Sequence, residues 1–519
     1  MRKLCRVIFS RYFFSAAIIL AEFFLLFYIL FFAYEYSAAA LIVRGAVDVV
    51  AIISLINRDS NPEYKVSWLA VLMLVSPFGV VLYLMFYSRR VSSKKARLMR
   101  EIQNSLNGFS KDGEELSAEC DTELFTLREV DSLAAGKAFS ILNGDRLAEV
   151  YRGSVSKYFP LGEEMFESML SDIASAKKYI FLEYFIIEEG EMWGKIHALL
   201  KEKISHGVEV RLIYDDIGCM KTLPSKYDRI LSSEGILCRR FSPVTPRIST
   251  VHNNRNHRKI LIIDGTVAYT GGVNLADEYI NKKARFGHWK DGGVRVEGMA
   301  VRGFLKLFLS SWDFSVGRVG DNRKYLSDPE MHESADGGFY IPFGSGPAPI
   351  YARQGGKDAI SNIINQASKY VYITTPYLIV DYDLTEALVG AARRGVDVRI
   401  ITPGKADKKL VKLMTKSSYP ALIQAGVRIY EYSLGFIHEK TVVSDSTYAL
   451  VGTINMDYRS LVHHYEDAVW IYGTQTVSQI KDAFLDTAAV SSPIDAAEAK
   501  LNLFEWVLRN LLRIFAPLL

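Results

Sequence analysis

Cysteine is scarce in this chain of 519 residues: four in all, Cys5, Cys120, Cys219 and Cys238. They are scattered without metal-ligand spacing, which excludes a cysteine-held metal centre and a disulfide framework. They read as reduced thiols in a protein facing the cytosol, a single bridged pair being the alternative. An excess of one charge is lacking too. Lys and Arg number 62 against 58 Asp and Glu, a net charge of +4. Nothing in that total asks for a nucleic-acid partner, and the distribution of charge matters more than its sum. Apolar residues, by contrast, make up 49% of the sequence. The chain is too long for one compact core, so at least two domains or repeats are expected.

Much of the hydrophobicity lies in the first ninety residues. Residues 13–32 form an apolar run of spanning length with one charge, Glu22; residues 37–56 carry Arg44 and Asp48; residues 66–87 have no charge at all. The first and third are expected to cross a membrane. In the second, Arg44 and Asp48 are four apart and can neutralise each other on one helix face. The first run exceeds the roughly 7–15 apolar residues of a cleaved signal segment, so cleavage at Ala38-Ala39-Ala40 is not expected. Arg2, Lys3, Arg6 and Arg11 precede the runs, and Arg89, Arg90, Lys94, Lys95, Arg97 and Arg100 follow them. Both flanks therefore belong on the cytoplasmic side, which demands an even number of crossings. The preferred solution makes the middle segment re-entrant or interfacial; three spans with an outside N-terminus is the competitor. Beyond them, residues 88–157 read first as a juxtamembrane linker, whose basic cluster either contacts anionic head groups or only sets topology.

The most informative stretch begins His257-Arg258-Lys259, reaches Asp264 after an apolar run, and closes on Gly271-Gly272-Val273-Asn274. The same spacing returns at His438, Lys440, Asp445, Gly452, Thr453 and Asn455. One His-x-Lys is common; two with the whole trailing pattern intact are not accidental. Each His and Lys stand at i and i+2 at the start of a β-rich run, so both side chains share one strand face. A lysine holds a charge for a phosphate oxygen, and an imidazole attacks or protonates near neutral pH. Brought together, the copies would clamp one phosphodiester between two lysines and two histidines. The small residues at 271–272 and 452–453 would let backbone and hydroxyl approach a ligand, and Asn274 and Asn455 add amide donors. Such a site needs no metal or other cofactor, because its cations come from the protein.

Helices and strands alternate around each motif in the same order. Helical spacing at 163–176 and 193–206 alternates with β-rich runs at 179–187 and 208–214; in the second half, 359–368 and 384–394 alternate with 370–379 and 396–402. The phrase Gly-Val-acid-Val-Arg occurs at 207–211 and at 395–399, which marks an internal duplication. The expected fold is α/β, with parallel strands joined by helices in each repeat. At the end, residues 501–515 have helical amphipathicity, with Asn502, Glu505, Arg509 and Arg513 on one stripe. Such a helix lies on a bilayer with Trp506 near the head groups, or packs on the domain or on a second subunit, which leaves a homo-oligomer open.

The paired motifs resemble the HKD signatures of the phospholipase D superfamily, and their surroundings resemble the bacterial cardiolipin synthases. The closer likeness rests on Asn256-His257-Arg258-Lys259, Asn274-Leu275-Ala276-Asp277-Glu278-Tyr279, Phe286-Gly287-His288-Trp289-Lys290-Asp291, Gly395-Val396-Asp397-Val398-Arg399 and Asn455-Met456-Asp457-Tyr458-Arg459-Ser460. It covers nearly the whole chain. Thr453 departs from the serine usual in the family but keeps a hydroxyl, and His463-His464-Tyr465-Glu466 replaces a more usual Asn-Phe-Glu.

The resemblance implies two phospholipase D-like α-β-α repeats packed about a pseudo-twofold axis with the active site on it, preceded by N-terminal transmembrane helices. The implied division is 1–90 membrane-anchoring segments, 91–157 linker, 158–335 and 336–490 the two repeats, and 491–519 the amphipathic helix. His257, Lys259, Asp264, His438, Lys440 and Asp445 would form the catalytic motifs, with Asn274 and Asn455 on the phosphate. Of these, Asp264 and Asp445 lie at strand ends before turns and are expected to be structural. Asp291 follows His257 by thirty-four residues and Glu466 follows His438 by twenty-eight. In the family such acids cross the axis, so Glu466 would orient His257 and Asp291 would orient His438; the competing reading leaves both as surface acids.

The implied reaction is a double displacement in which His257 attacks phosphorus and His438 serves as acid and then base. Phosphatidylglycerol would be both donor and acceptor, with anionic membrane lipids around the enzyme, at the bacterial plasma membrane with the catalytic domains in the cytoplasm. A phospholipase D-type hydrolase or another phosphatidyltransferase is the alternative. A nuclease would have little use for membrane segments, and an inert membrane scaffold would not have kept His and Lys in both copies.

Overall fold

The computed structural model describes residues 38–519 except 59, 75–77, 88–90, 108–112, 245–252, 327–335, 352, 496–502 and 519, and before residue 38 only Leu20, Phe24, Phe27 and Tyr28. The first expected span, residues 13–32, thus lies outside the described residues apart from those four.

Two mixed sheets form the body. The first contains β1 (Ser154–Phe159), β2 (Tyr179–Tyr184), β3 (Glu209–Asp215), β4 (Leu237–Phe241), β5 (Ile260–Ile263), β6 (Val267–Gly271) and β8 (Gly293–Gly298), in the order β1-β8-β6-β5-β2-β3-β4. The short β7 (His288–Lys290) lies outside it. The second contains β9 (Phe339–Ser345), β10 (Tyr370–Thr374), β12 (Asp397–Pro403), β13 (Arg428–Tyr432), β15 (Thr441–Ser444), β16 (Tyr448–Gly452), β18 (Glu466–Tyr472) and β19 (Ser491–Ile494). Its order is β19-β13-β12-β10-β15-β16-β18-β9. Apart from β19, one order is the other read backwards, so the duplication reappears as topology. Within these two sheets, among the described residues, only β2, β3 and β4, and their counterparts β10, β12 and β13, run parallel. The expectation of parallel strands is corrected for the rest. Residues 264–266 and 445–447 are connections too short for a crossover, so β5–β6 and β15–β16 are antiparallel hairpins.

The core runs across both halves. The helix Val301–Val316 buries Phe304, Leu305, Phe308 and Leu309 in a cluster that also takes Val294 and Val296 from β8 and Val451 and Val469 from the second sheet. Residues 91–157, expected as a linker, form three helices that belong to this body. Ser93–Asn107 buries Ala96, Met99, Ile102 and Leu106 in the same cluster, and Ser132–Gly144 buries Ala134, Ala138 and Ile141 in the core of the second half. Their mixed composition reflects helices with one face in the core and the other in water.

The helix Ala38–Ile56 is unbroken, 19 residues or about 28 Å long, with Arg44 Nε 3.9 Å from Asp48, as the spacing predicts. The third expected span is not one crossing. Residues 66–87 fall on two helices, Pro62–Leu74 and Phe78–Phe86, that fold back on one another. Tyr64 meets Tyr87 with ring centroids 5.3 Å apart and Trp68 meets Tyr83 at 5.7 Å. The sequence places Pro77 between the two helices, and a proline removes a helical N–H. Gly79 allows the close approach, since a Cβ there would lie 2.5 Å from the Val71 carbonyl oxygen. Among the described residues no helix is long and apolar enough to cross a membrane.

The C-terminal helix Leu503–Phe515 packs on its own chain. Ser67 Oγ donates to the Ile514 carbonyl at 2.6 Å, and Leu512 and Ala516 join Met414 and Tyr458. Leu503, Trp506, Val507 and Leu511 remain exposed. Cys219 and Cys238 are free, buried thiols.

Candidate active site

Two short contacts between the halves build the site. β14 (Gly435–Ile437) runs parallel to β7, with Ile437 opposite Lys290, so the next residues, His438 and Asp291, arrive side by side. An equivalent bridge joins Asn256 to Tyr465 and sets His257 beside Glu466. Backbone bonds hold both, from His438 N–H to Lys290 O at 2.7 Å and from His257 N–H to Tyr465 O at 2.8 Å. As a result His257 Nδ1 lies 2.8 Å from Glu466 Oε2, and His438 Nδ1 lies 2.7 Å from Asp291 Oδ2. Each half supplies the carboxylate on the other's imidazole, the reciprocal exchange that a two-fold axis produces. An ionised carboxylate only accepts, so Nδ1 carries the proton and Nε2 keeps its lone pair.

All of these groups are buried. Lys259 Nζ donates to the His257 carbonyl at 2.7 Å, and Lys440 Nζ to that of His438. Thr453 and Ser460 hydroxyls donate to the two Glu466 oxygens, each at 2.6 Å, whereas Asp291 takes the Gly292 N–H at 2.9 Å. The small residues near the motifs serve these acids and the neighbouring strand, which corrects the expectation that they admit a ligand. A Cβ on Gly272 would lie 1.9 Å from Asp291 Oδ1, and one on Gly452 would lie 2.3 Å from the Asp467 carbonyl oxygen. Asn274 accepts the Ile186 N–H at 3.0 Å and donates to the Tyr279 hydroxyl at 2.7 Å, and the Tyr279 ring stands edge-on to His438 at 5.6 Å. Asn455 is buried with its Oδ1 unpartnered.

Asp264 and Asp445 do not enter the site, so their grouping with the catalytic residues is corrected in favour of the structural expectation. Asp264 accepts the N–H groups of Lys177, Lys178 and Tyr179 at 2.7, 2.7 and 2.8 Å. Asp445 accepts those of Ser368, Lys369 and Tyr370 at 2.8, 2.8 and 2.9 Å. Both sit in left-handed backbone, φ 54° and 56°, which Asn also tolerates. Asp445→Asn is therefore expected to cost about 1–3 kcal/mol in chemical denaturation while kcat stays near that of the native enzyme. A variant of full stability and no activity would put Asp445 back in the site.

Burial governs the charges. It pushes His257 down to about 3, helped by Lys259 and opposed by Glu466, and holds His438 well below its ordinary range together with Lys440 and Lys259. Lys440 comes down to about 7 and Lys259 to about 8. Burial favours the acid form of Glu466, but the His257 imidazole and its hydrogen bond outweigh that and keep the carboxylate below its usual range. Asp291 has no such excess of donors, and burial lifts it to about 6.

Several neighbours escaped the sequence reading. Phe185 stands edge-on to His257 at 4.9 Å, and His464 lies 5.4 Å from it. Asp467 accepts from Thr270 Oγ1 at 2.6 Å; an acid at the head of the apolar run 466–472 was the available signal. His257, His464 and Glu466 bring ligand atoms within 4.8 Å of one another, close enough to hold a metal ion, but both Glu466 oxygens already accept from imidazole or hydroxyl donors.

The profile of the family described as "Cardiolipin synthase, PLD-like domain" matches residues 169–284 and 360–487, one copy in each half. A second, "Phospholipase D-nuclease N-terminal", matches residues 46–86. A cardiolipin synthase of Geobacillus sp. (strain WCH70) is 33% identical over 485 residues, 92% of this chain and 93% of that one. This chain belongs to the cardiolipin synthase family. Its family likeness extends to cardiolipin synthase 2 of Bacillus anthracis, 33% identical over 90% of this chain and 89% of that one. An uncharacterized protein of Streptococcus mutans is 44% identical over 371 residues, 71% of this chain and 80% of its own. Among solved structures, the phosphatidylserine synthase of Haemophilus influenzae shares the fold, with a TM-score of 0.55 and 16% identity over 70% of this chain and 93% of that one. As a cardiolipin synthase family member with this α/β fold of two repeated sheet domains, the chain is a phosphatidyltransferase of the phospholipase D superfamily.

Proposed function

We propose that this enzyme joins two molecules of phosphatidylglycerol into cardiolipin and releases glycerol, through a phosphohistidine on His257. The reciprocal hold of each imidazole by the opposite half's carboxylate carries the reading. His257 Nε2 attacks phosphorus, the phosphorus–glycerol bond breaks, and His438 gives its proton to the leaving glycerol. His438 then takes the proton of a glycerol hydroxyl on a second phosphatidylglycerol, whose oxygen displaces His257 from phosphorus. Lys259, Lys440 and the amides of Asn274 and Asn455 meet the non-bridging oxygens as charge builds on them. The buried cationic groups repel one another, and a phosphodiester anion relieves this. Substrate binding thereby restores the charge on the lysines and the proton that His438 must donate.

The two lysines dictate a pH profile. A lysine is cationic below its pKa, and kcat/KM reports the free enzyme. It is therefore expected to fall as pH rises through about 7 and 8, where Lys440 and then Lys259 lose their protons. A profile flat up to the ordinary lysine range would remove both from phosphate binding.

The proposal places the enzyme on the cytoplasmic face of the bacterial plasma membrane. Ile42, Val43, Val47, Val50 and Ile53 on the helix Ala38–Ile56, and Trp506, Val507 and Leu511 on the last helix, are exposed. Exposed apolar residues grouped on helices in this way suit a bilayer surface. Incubating the full chain with phosphatidylglycerol vesicles tests the activity: glycerol release with a dimeric lipid product is expected. Phosphatidic acid as the sole lipid product would make it a hydrolase instead.

A further inference from the structure

A cavity of about 550 Å³ lies where the helices Pro62–Leu74, Lys409–Gln424 and Leu503–Phe515 meet, and no residue of the two motifs lines it. That volume is in the range of small-molecule sites. Val66, Ile379, Met414 and Ile514 give it apolar walls. Two polar features interrupt them. Tyr458 is only 8% exposed and its hydroxyl has no hydrogen-bond partner, a costly arrangement unless a ligand supplies one. Arg513, also on the wall, is exposed and forms no salt bridge among the described residues, and Arg509 one turn before it forms none either.

Among the described residues no acid lining the cavity forms a salt bridge with that charge. Asp383 lies 2.7 Å from Lys357, which also holds the neighbouring Asp381 at 2.5 Å. Burial, reinforced by Asp381 and opposed by Arg513, raises the Glu63 carboxyl and disfavours its ionisation. The mouth is apolar as well: Val66 is 56% exposed and Ile514 37%, on the same C-terminal helix as the exposed Trp506, Val507 and Leu511. A pair of arginines without salt bridges on an amphipathic helix is the arrangement that lipid phosphates satisfy at a bilayer surface. The apolar chamber behind it suits a hydrocarbon chain.

We propose that this cavity holds one acyl chain of an anionic phospholipid drawn from the bilayer, with its phosphate on Arg513 and its ester carbonyl accepting from the Tyr458 hydroxyl, as a resident lipid that does not react. The inference rests on the reading that the enzyme works at a membrane, not on the assignment of its nucleophile. The resident lipid would tie the N-terminal hairpin and the C-terminal helix to the second half, on the bilayer side of the molecule.

The test uses the full chain in nanodiscs containing phosphatidylglycerol with a photoactivatable diazirine on its acyl chain. Adducts are expected on Met414, Ile379 or Ile514. Met414→Trp, which narrows the chamber, should reduce them. Arg513→Gln, at an exposed position where folding is not at stake, should reduce the preference for the phosphatidylglycerol probe over a phosphatidylcholine probe about fivefold. Equal labelling by the two probes in the native chain overturns the proposal. So does labelling that is undiminished in Met414→Trp, or is confined to the cleft of His257 and His438 or to the outer face of Ala38–Ile56. The His257→Ala chain should keep the cavity adducts. Their retention in a chain that transfers no lipid separates this site from the catalytic reading, and their loss in that variant counts against it.

Discussion

A His257→Ala enzyme is expected to lose about four orders of magnitude or more in turnover of phosphatidylglycerol, the scale seen when a covalent catalyst loses its nucleophile. The two histidines are nearly equivalent by symmetry, so the assignment rests on what holds them. Glu466 accepts from His257, Thr453 and Ser460 and stays ionised. That fixes the proton on Nδ1 of His257 and leaves Nε2 as a bare lone pair. Asp291, raised by burial, takes up a proton more readily than Glu466, so of the two pairs His438–Asp291 is the better suited to the role of acid. Glu466→Gln keeps the shape but substitutes an amide that can donate, which favours the wrong tautomer; a loss of about 10⁴-fold is the precedent for such a change. Trapping the phosphatidyl group during turnover should find it on His257. Finding it on His438 reverses the two roles, and finding it on neither removes the covalent step.

Both motifs were legible because their chemistry and strand alternation act over short range. The thirty-four and twenty-eight residue offsets made Asp291 and Glu466 comparable, although only the contacts β14–β7 and Asn256–Tyr465 bring each beside the opposite imidazole. What was not legible depends on neighbours distant in sequence. A hydropathy count over residues 66–87 sees no charge and cannot see that Trp68 packs back on Tyr83. The mixed composition of residues 91–157 gave no sign that Ile102 and Ile141 are core residues. The serine-to-threonine departure at 453 looked like a matter of substrate contact. Its hydroxyl instead goes to Glu466, a partner thirteen residues away that only the β16–β18 pairing brings near.

The largest effect on stability is expected at the residue between His257 and Lys259. Alternation turns it away from the phosphate, and the two halves place opposite charges there, Arg258 and Glu439. Glu439 meets Lys290 of the first half at 3.3 Å and accepts from the Tyr158 hydroxyl. Arg258 is 1% exposed and donates to four acceptors: the Glu466 carbonyl at 3.2 Å, the Leu307 carbonyl at 3.1 Å, Ser311 Oγ at 3.0 Å and the Tyr351 hydroxyl at 2.6 Å. Buried Glu183, Asp467 and Asp145 lie close enough to act on its charge. Arg258→Met removes the cation and leaves these acids and carbonyls facing a thioether, so about 3–5 kcal/mol of stability should be lost, read as a lower urea midpoint. Arg258→Lys keeps the charge, but its ammonium cannot reproduce the planar fork, and it should fall between the two. The Glu466 backbone would lose its tether in both variants, so activity should decline alongside stability. An unchanged midpoint in Arg258→Met would mean that the buried guanidinium and its four hydrogen bonds add nothing net to stability.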